Sequence, residues 1–217
     1  MPPWSDIDTI MFDMDGTLVD SEQHTSTAVQ ALLDEHSLGP MALDPNTLFG
    51  ITWGAVAERV LQAHKGLSHI DVTSALKAKF SEMIDRDGLV LVPGSDTYFS
   101  SLEGRYKRGL YTSNVRTEVD RLVSTFPVFA GLDGIITGED VSRSKPDPEG
   151  FLLLAKALGV APECCVVFED SVAGLTAANA AGMQTIAVTY RCPDEAAVRR
   201  IADRVVPHYQ GVDLSLV

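Results

Sequence analysis

The chain has 217 residues, of which 45% are hydrophobic and 22% charged, and these ordinary proportions for a soluble globular protein exclude a disordered one. Seventeen basic residues against 30 acidic ones leave a net charge of −13. A surface of this charge repels phosphate backbones and anionic lipids, so neither nucleic acid nor a membrane is expected as a partner. An anionic substrate would need positive charge supplied locally, by a metal ion or by selected basic residues.

The N-terminus shows no pattern of a signal peptide, and none is expected. The stretch "MPPWSDIDT" has no basic region followed by an apolar run, and no run in the chain approaches the ~20 apolar residues of a transmembrane helix. We therefore expect a cytoplasmic protein. The three cysteines show neither a disulfide framework nor the spacing of a zinc site.

The first predicted strand, "IDTIMF" at 7–12, leads directly into two carboxylates, Asp13 and Asp15. Like charges this close repel each other, and a buried charge is costly unless it is paired. The pair therefore predicts a cation nearby. Gly16, which follows, permits a sharp turn and a close approach of the backbone.

Residues 20–90 then carry three helical patterns with no strand run between them. The apolar side chains of the last pattern recur on one face of a helix. We expect a separate small helical unit here. The patterns are "SEQHTSTAVQALLDEHS", "TWGAVAERVLQAH" and "TSALKAKFSEMID", the last with Leu76, Phe80, Met83 and Ile84 on its apolar face.

Four more apolar runs follow the insertion, and each reads as a buried strand. Two helices between them have clear ends: Asp147 as N-cap with Pro148 first in the helix and Gly159 after it, then Ser171 as N-cap and Gly182 as the stop. Strands that alternate with helices predict an α/β fold with a parallel sheet covered on both faces. The four runs are "GLYT" (109–112), "GIIT" (134–137), "CCVVF" (164–168) and "TIAVTY" (185–190).

Polar side chains follow four of the predicted strands, where an open parallel sheet binds its ligands. Such a set suits phosphoryl transfer, because a carboxylate can attack phosphorus while a second acid moves the proton. Magnesium takes oxygen ligands of this kind, and a lysine can neutralise the transferring group. The side chains are Asp13 and Asp15 after the first strand, Thr112, Ser113 and Asn114 after the second, Lys145 after the third, and Glu169 and Asp170 after the fourth.

Four segments in this order resemble the motifs of the haloacid-dehalogenase (HAD) superfamily. The helical insertion after the first motif resembles subfamily I with its small helical (C1) cap, in the phosphatase and β-phosphoglucomutase-like branch. The resemblance spans nearly the whole chain and implies a Rossmann-like, doubly wound catalytic core over 1–19 and 91–217, with a cap over 20–90. The segments are "DMDGT" (13–17), "YTSN" (111–114), "SKPDP" (144–148) and "VVFEDSVAG" (166–174).

The resemblance also implies a role for each of these side chains. Asp13 is implied as the nucleophile and Asp15 as the general acid/base. Thr112 and Lys145 are implied as phosphate ligands, with Ser113 and Asn114 beside Thr112; Asn114 alternatively sets the turn. Mg²⁺ is implied as the cofactor, bound by Asp13, the Asp15 backbone carbonyl and Asp170, with Glu169 beside it or acting through water.

The expected activity is Mg²⁺-dependent hydrolysis of small phosphorylated metabolites, namely sugar or polyol phosphates, by a monomer that forms an aspartyl phosphate. The alternative is a sugar-phosphate mutase, whose β-phosphoglucomutase-type members carry an arginine where the stretch "GITW" (50–53) has Trp53. Trp53 either lines the substrate pocket or packs the cap. Members that dehalogenate lack the second aspartate of the first motif, here Asp15. Phosphoacceptor receiver domains lack the helical insertion and are about half as long.

Overall fold

The computed structural model of the chain describes residues 4–48, 53–192 and 194–212. The chain divides into two compact units, Met1–Asp20 with Leu91–Val217 and Ser21–Val90. The first limit lies one residue later than the sequence predicts, and the roles of catalytic core and cap stay predictions. Within the described residues, no helix combines the length and apolar character that crossing a bilayer requires.

Among its described residues, the larger unit contains one sheet of six strands, and every neighbouring pair is parallel. The strands are β1 (Thr9–Phe12), β2 (Lys107–Tyr111), β3 (Gly134–Ile136), β4 (Cys165–Glu169), β5 (Gln184–Val188) and β6 (Arg204–Val206). Their order across the sheet is β3-β2-β1-β4-β5-β6, which confirms the predicted parallel α/β class. The first five strands match the predicted apolar runs. The sixth, three residues at the edge of the sheet, was not predicted.

The smaller unit is helical, as the sequence predicts. Its helices are α1 (Glu22–Glu35), α2 (Trp53–Ala63) and α3 (Val72–Asp87). The apolar face predicted for α3 is buried at Leu76, Met83 and Ile84 and partly buried at Phe80. Because Leu76 packs with side chains of α1 and α2 in one cluster, this unit has an apolar core of its own.

Both faces of the sheet are covered, which explains why its central strands are continuous apolar runs. Five helices follow in the larger unit: α4 (Ser95–Ser101), α5 (Arg116–Thr125), α6 (Glu149–Leu158), α7 (Val172–Ala180) and α8 (Glu195–Ile201). On one face, Phe12 of β1 packs with side chains of α4 and α5. On the other, Met11 packs with side chains of α6 and α7, since successive strand residues point to opposite faces.

The predicted helix ends hold with one correction. Gly159 ends α6 in the left-handed conformation, and the Ser171 hydroxyl accepts a hydrogen bond from the Gly174 amide at the start of α7. However, α6 begins at Glu149, so that Pro148 rather than Asp147 is the flanking residue. The Asp147 carboxylate still accepts a hydrogen bond from the Glu149 amide at 3.0 Å, because it reaches one residue past the proline, which has no N–H to offer.

Candidate active site

The strand end at β1 brings the first motif to the carboxyl edge of the sheet. The Asp13 amide donates to the Phe168 carbonyl at 3.0 Å, which extends the pairing with β4 by one residue. The chain then turns at Gly16, whose φ of +75° is costly for any other residue. A Cβ at Gly16 would overlap the Asp170 carboxylate, so the glycine also makes room for that acid.

A buried ion pair lies at the centre of this edge. The Lys145 ammonium donates to Asp13 Oδ1 at 2.5 Å and to Glu169 Oε1 at 2.8 Å, and the lysine side chain is only 6% exposed. Its nitrogen also lies 4.7 Å from the centre of the Tyr111 ring, at a distance typical of a cation–π contact. The ammonium also donates to the Tyr111 carbonyl at 3.2 Å, so the structure joins residues from all four motifs around Lys145.

The charges of this group shift its protonation equilibria. Burial raises the pKa of Asp13 well above its ordinary value, and the neighbouring Glu169 and Asp15 charges add to this, while Lys145 acts in the opposite direction. Burial alone would lower the pKa of Lys145, but the charges of Asp13 and Glu169 outweigh it and raise the pKa. The two acids therefore favour the protonated, cationic form of Lys145.

Glu169 has a second partner that the sequence did not predict. Its Oε2 atom accepts hydrogen bonds from the Ser171 amide at 2.7 Å and from the Ser171 hydroxyl at 2.9 Å, while Oε1 binds Lys145. Both carboxylate oxygens of Glu169 are thus hydrogen-bonded within the protein, and its side chain is only 1% exposed.

Three acids at this edge form a group suited to a divalent cation. Asp13, Glu169 and Asp170 are all buried, and each offers a carboxylate oxygen within 4.8 Å of the others. Oxygen donors in this number fit Mg²⁺, which is usually bound by one or two carboxylates together with substrate and water. Because both Glu169 oxygens already have partners, Asp13 and Asp170 fit the direct ligand positions better than Glu169 does.

The turn after β2 contacts Asp15, the second acid of the first motif. Thr112 is buried, and its hydroxyl accepts a hydrogen bond from the Asn114 amide at 3.0 Å. The Asn114 side chain donates to Asp15 Oδ2 at 2.8 Å, a contact 99 positions apart in the chain. Asn114 thus orients the predicted acid/base residue as well as shaping the turn. Ser113 is exposed in the same turn, and the structure does not bring it into this network.

Sequence reasoning also missed an ion pair between a buried acid near the first motif and a half-exposed arginine. Asp20 is 3% exposed, and its Oδ2 accepts a hydrogen bond from Arg191 Nε at 2.7 Å. Arg191 follows β5, so this pair joins the segment after β5 to the segment that leaves β1. No spacing in the sequence indicates it, since the two residues lie 171 positions apart.

The comparison with known families settles the family. The model of the haloacid dehalogenase-like hydrolases matches residues 7–182, which is most of the chain and includes all four motifs. The chain belongs to this family. The sequence resemblance is therefore confirmed.

Two relatives and one solved structure are similar over most of their length. A validoxylamine A 7'-phosphate phosphatase of Streptomyces hygroscopicus subsp. limoneus is 33% identical over 183 residues, which is 82% of this chain and 84% of that protein. Hexitol phosphatase A of Escherichia coli is 32% identical over 183 residues, 82% of this chain and 81% of that protein. A Thermotoga maritima protein, provisionally named a β-phosphoglucomutase, has 27% identity and a TM-score of 0.75 over 92% of this chain and 94% of that chain.

Proposed function

We propose that this HAD hydrolase is a Mg²⁺-dependent phosphatase for small phosphorylated metabolites, with Asp13 as the nucleophile. The observation that carries the proposal is the buried contact of Asp13 with Lys145, at 2.5 Å, at the carboxyl edge of the sheet. Burial disfavours the ionised form of Asp13, and the Lys145 cation beside it opposes this effect. A carboxylate nucleophile for phosphate requires such an arrangement. Asp15, two residues on and held by Asn114, supplies the second acid.

The reaction would proceed in two displacements. The Asp13 carboxylate attacks the phosphorus atom of the monoester, the bond from phosphorus to the ester oxygen breaks, and Asp15 in its acid form protonates the departing oxygen. A water molecule then gives its proton to Asp15 and attacks the phosphorus, and the bond from phosphorus to Asp13 breaks. Inorganic phosphate leaves, and both acids return to their starting forms.

The other residues of the edge would hold charge and geometry. Lys145 favours the ionised form of Asp13 against the effect of burial and would neutralise an equatorial oxygen of the phosphoryl group. Thr112 would contact another oxygen. Mg²⁺, when bound by Asp13, the Asp15 carbonyl and Asp170 with Glu169 beside it, would screen the acids from the incoming phosphate dianion.

The substrate class rests on the relatives. One is named as a hexitol phosphatase and another as a phosphatase of validoxylamine A 7'-phosphate. The match to this chain covers more than four fifths of each relative. These names support a phosphorylated sugar or polyol as the substrate of this chain. A monomeric state and a cytoplasmic location stay predictions from the sequence.

The test is phosphate release with and without the nucleophile. Wild-type protein with Mg²⁺ is assayed against hexitol phosphates, sugar phosphates and validoxylamine A 7'-phosphate, beside Asp13→Asn and the control Asp120→Asn on the exposed face of α5. We expect Asp13→Asn to lose more than about 1,000-fold in kcat, because it removes the attacking atom, and the control to match the wild type.

A trapped intermediate provides the direct check. Asp15→Asn slows hydrolysis of the covalent intermediate, and an aryl phosphate, whose leaving group needs no protonation, lets the intermediate form, so mass spectrometry of acid-quenched protein should find phosphate attached at Asp13. Activity retained in Asp13→Asn, or phosphate attached elsewhere, would refute the assignment.

A sugar-phosphate mutase is the second candidate, because a structural relative at 27% identity carries that provisional name. Residues 50–52 of the stretch that separates mutases from phosphatases lie outside the described residues. Trp53 opens α2 with its ring 5.0 Å from that of Phe80, within the helical unit. Isomer formation from β-glucose 1-phosphate with a bisphosphate primer, faster than phosphate release, would favour the mutase.

A further inference from the structure

Ser171 stands between the metal-site acids and helix α7, and its hydroxyl makes two hydrogen bonds of opposite sense. The oxygen accepts a bond from the Gly174 amide at 3.0 Å, and the hydroxyl proton is donated to Glu169 Oε2 at 2.9 Å. The Ser171 amide donates to the same carboxylate oxygen at 2.7 Å. Ser171 therefore contacts both the first turn of α7 and Glu169, the acid that precedes this helix.

A hydroxyl fills both positions with a single atom. A serine or threonine oxygen offers one donated proton and two lone pairs, whereas an ionised aspartate caps a helix without a proton to give. Asp194, which caps α8 by accepting from the Ala197 amide at 2.9 Å, shows that a carboxylate suffices where capping is the sole task. A hydroxyl at position 171 thus has a use beyond the cap.

The space beside Glu169 is equally constrained. A Cβ added at Gly174 would overlap the Glu169 carboxylate, so the acid lies directly on the first turn of α7. The carboxylate is held on one side by Ser171 and on the other by the Lys145 ammonium at 2.8 Å. With a side chain only 1% exposed, Glu169 has little freedom to rotate.

We propose that Ser171 is a positioning residue for phosphoryl transfer: its hydroxyl fixes Glu169, and Glu169 fixes the Lys145 ammonium against Asp13. The contacts form one continuous series from the start of α7 to the predicted nucleophile. The inference rests on the proposed function for its catalytic meaning. The series of contacts itself joins protein groups alone.

The position of the Lys145 ammonium matters because its interaction with Asp13 and with the transferring phosphoryl group depends on distance and alignment. A reacting group displaced by about 1 Å can lower the rate by as much as 100-fold. Loss of the Ser171 hydroxyl removes one of the two Ser171 donors to Glu169 Oε2, so the carboxylate is held less firmly. The Lys145 ammonium would then depend more on its other acceptors, Asp13 Oδ1 and the Tyr111 carbonyl at 3.2 Å, and its alignment against Asp13 would change.

The kinetic experiment compares three variants with saturating Mg²⁺. Ser171→Ala removes both bonds of the hydroxyl, Ser171→Thr keeps both, and Asp194→Ala removes the cap of α8 without contact to Glu169. We expect Ser171→Ala to lower kcat about tenfold with KM within about twofold of wild type, since the defect acts on the transferring group. Ser171→Thr should restore kcat, and Asp194→Ala should keep it.

Two kinetic outcomes would overturn the proposal. One is a kcat within about twofold of wild type in Ser171→Ala together with a loss of stability equal to that of Asp194→Ala, which would make Ser171 a cap alone. The other is a kcat that returns fully when Mg²⁺ is raised well above the concentration that saturates the wild type, which would assign the effect to metal affinity.

A spectroscopic experiment tests the contact without activity. A buried, hydrogen-bonded lysine ammonium exchanges its protons slowly and yields a ¹H–¹⁵N resonance, assigned here by its absence in Lys145→Met. We expect the Lys145 resonance to be kept in Ser171→Thr and shifted or lost in Ser171→Ala, in metal-free protein without substrate. An unchanged resonance in Ser171→Ala would refute the positioning role, even if the protein proves inactive on every phosphate ester and the proposed function fails.

Discussion

At the level of single residues, absent side chains shape the site as much as present ones. Gly16 leaves room for Asp170, and Gly174 leaves room for Glu169. Each glycine stands within a motif that the sequence identified. The acid that Gly16 accommodates, Asp170, lies far along the chain, whereas Glu169 precedes Gly174 in the same motif and packs against it through the first turn of α7. The motif was therefore visible in the sequence, whereas the overlap that requires glycine became visible only from the packing.

At Gly174, the sign of the change in the free energy of unfolding tests the packing against Glu169. An alanine in place of glycine ordinarily stabilises a helix, by up to about 1 kcal/mol. Here the new Cβ would meet the Glu169 carboxylate, so we expect Gly174→Ala to lose about 1–3 kcal/mol in the free energy of unfolding, the usual cost of overpacking. Urea denaturation measures the change, and Thr176→Ala on the exposed side of α7 is the control. A gain of stability in Gly174→Ala would contradict the packing.

At the level of elements, the loops after the strands carry the contacts that hold the site together. The loop after β5 does so twice: Arg191 binds the buried Asp20 after β1, and the Cys192 thiol donates to the Asp170 carbonyl at 3.2 Å. Within the described residues, the second oxygen of Asp20 is buried without a hydrogen-bond partner. Asp20 therefore depends on Arg191 as its one visible source of charge compensation.

We expect Arg191→Met to destabilise the protein by about 1–2 kcal/mol, because a buried carboxylate loses its cation while the half-exposed arginine limits the gain from the pair. For a chain of this length, that corresponds to a fall of about 2–8 °C in Tm. Adding Asp20→Asn should recover part of the loss, since it removes the unpaired charge.

The exposed pair of Arg199 with Glu195 is the matched control, with side chains 55% and 50% exposed. Its loss in Arg199→Met should cost less than about 0.5 kcal/mol, as exposed helix pairs usually do. Equal effects of the two arginine variants in thermal melts would show that the Asp20 contact contributes no more than a surface pair.

At the level of the whole molecule, charge accumulates where a cation is expected. The chain carries a net charge of −13, and three buried acids converge at one edge of the sheet while Lys145 pairs with two of them. Desolvated acids at this density weaken the folded state unless a cation joins them. We therefore expect metal binding to stabilise the fold measurably.

A Mg²⁺ concentration of about 100 times the Kd should add about 2.7 kcal/mol, equivalent to a rise of about 5–10 °C in Tm. Asp170→Asn should lose most of this rise because it removes a carboxylate ligand, while Asp120→Asn should keep it. Thermal melts in Mg²⁺ and in chelator measure the difference. The same rise in Asp170→Asn as in the wild type would move the metal site away from this edge.

Much of the fold follows from local signals in the chain. Buried parallel strands must be apolar on both faces, so β1, β4 and β5 appear largely as apolar runs, whereas β2 begins with Lys107 and Arg108 and was recognised from its carboxyl half alone. The β6 strand escaped prediction because three residues at an edge carry too short a pattern, and its pairing with β5 alone decides its state. The α4 and α5 helices are short or polar, and packing on the sheet determines where they form.

The amino-acid order alone was enough to place Asp13, Asp15 and Asp170 directly after their strands, because a buried strand and its following turn are written in adjacent residues, whereas Lys145 lies further along the segment between β3 and α6. It could not assign partners, since a hydrogen bond between distant segments leaves no periodicity. Asn114 meets Asp15 across 99 positions, and Arg191 meets Asp20 across 171. Which side chain fixes which acid was decided only when the sheet brought these segments to one edge.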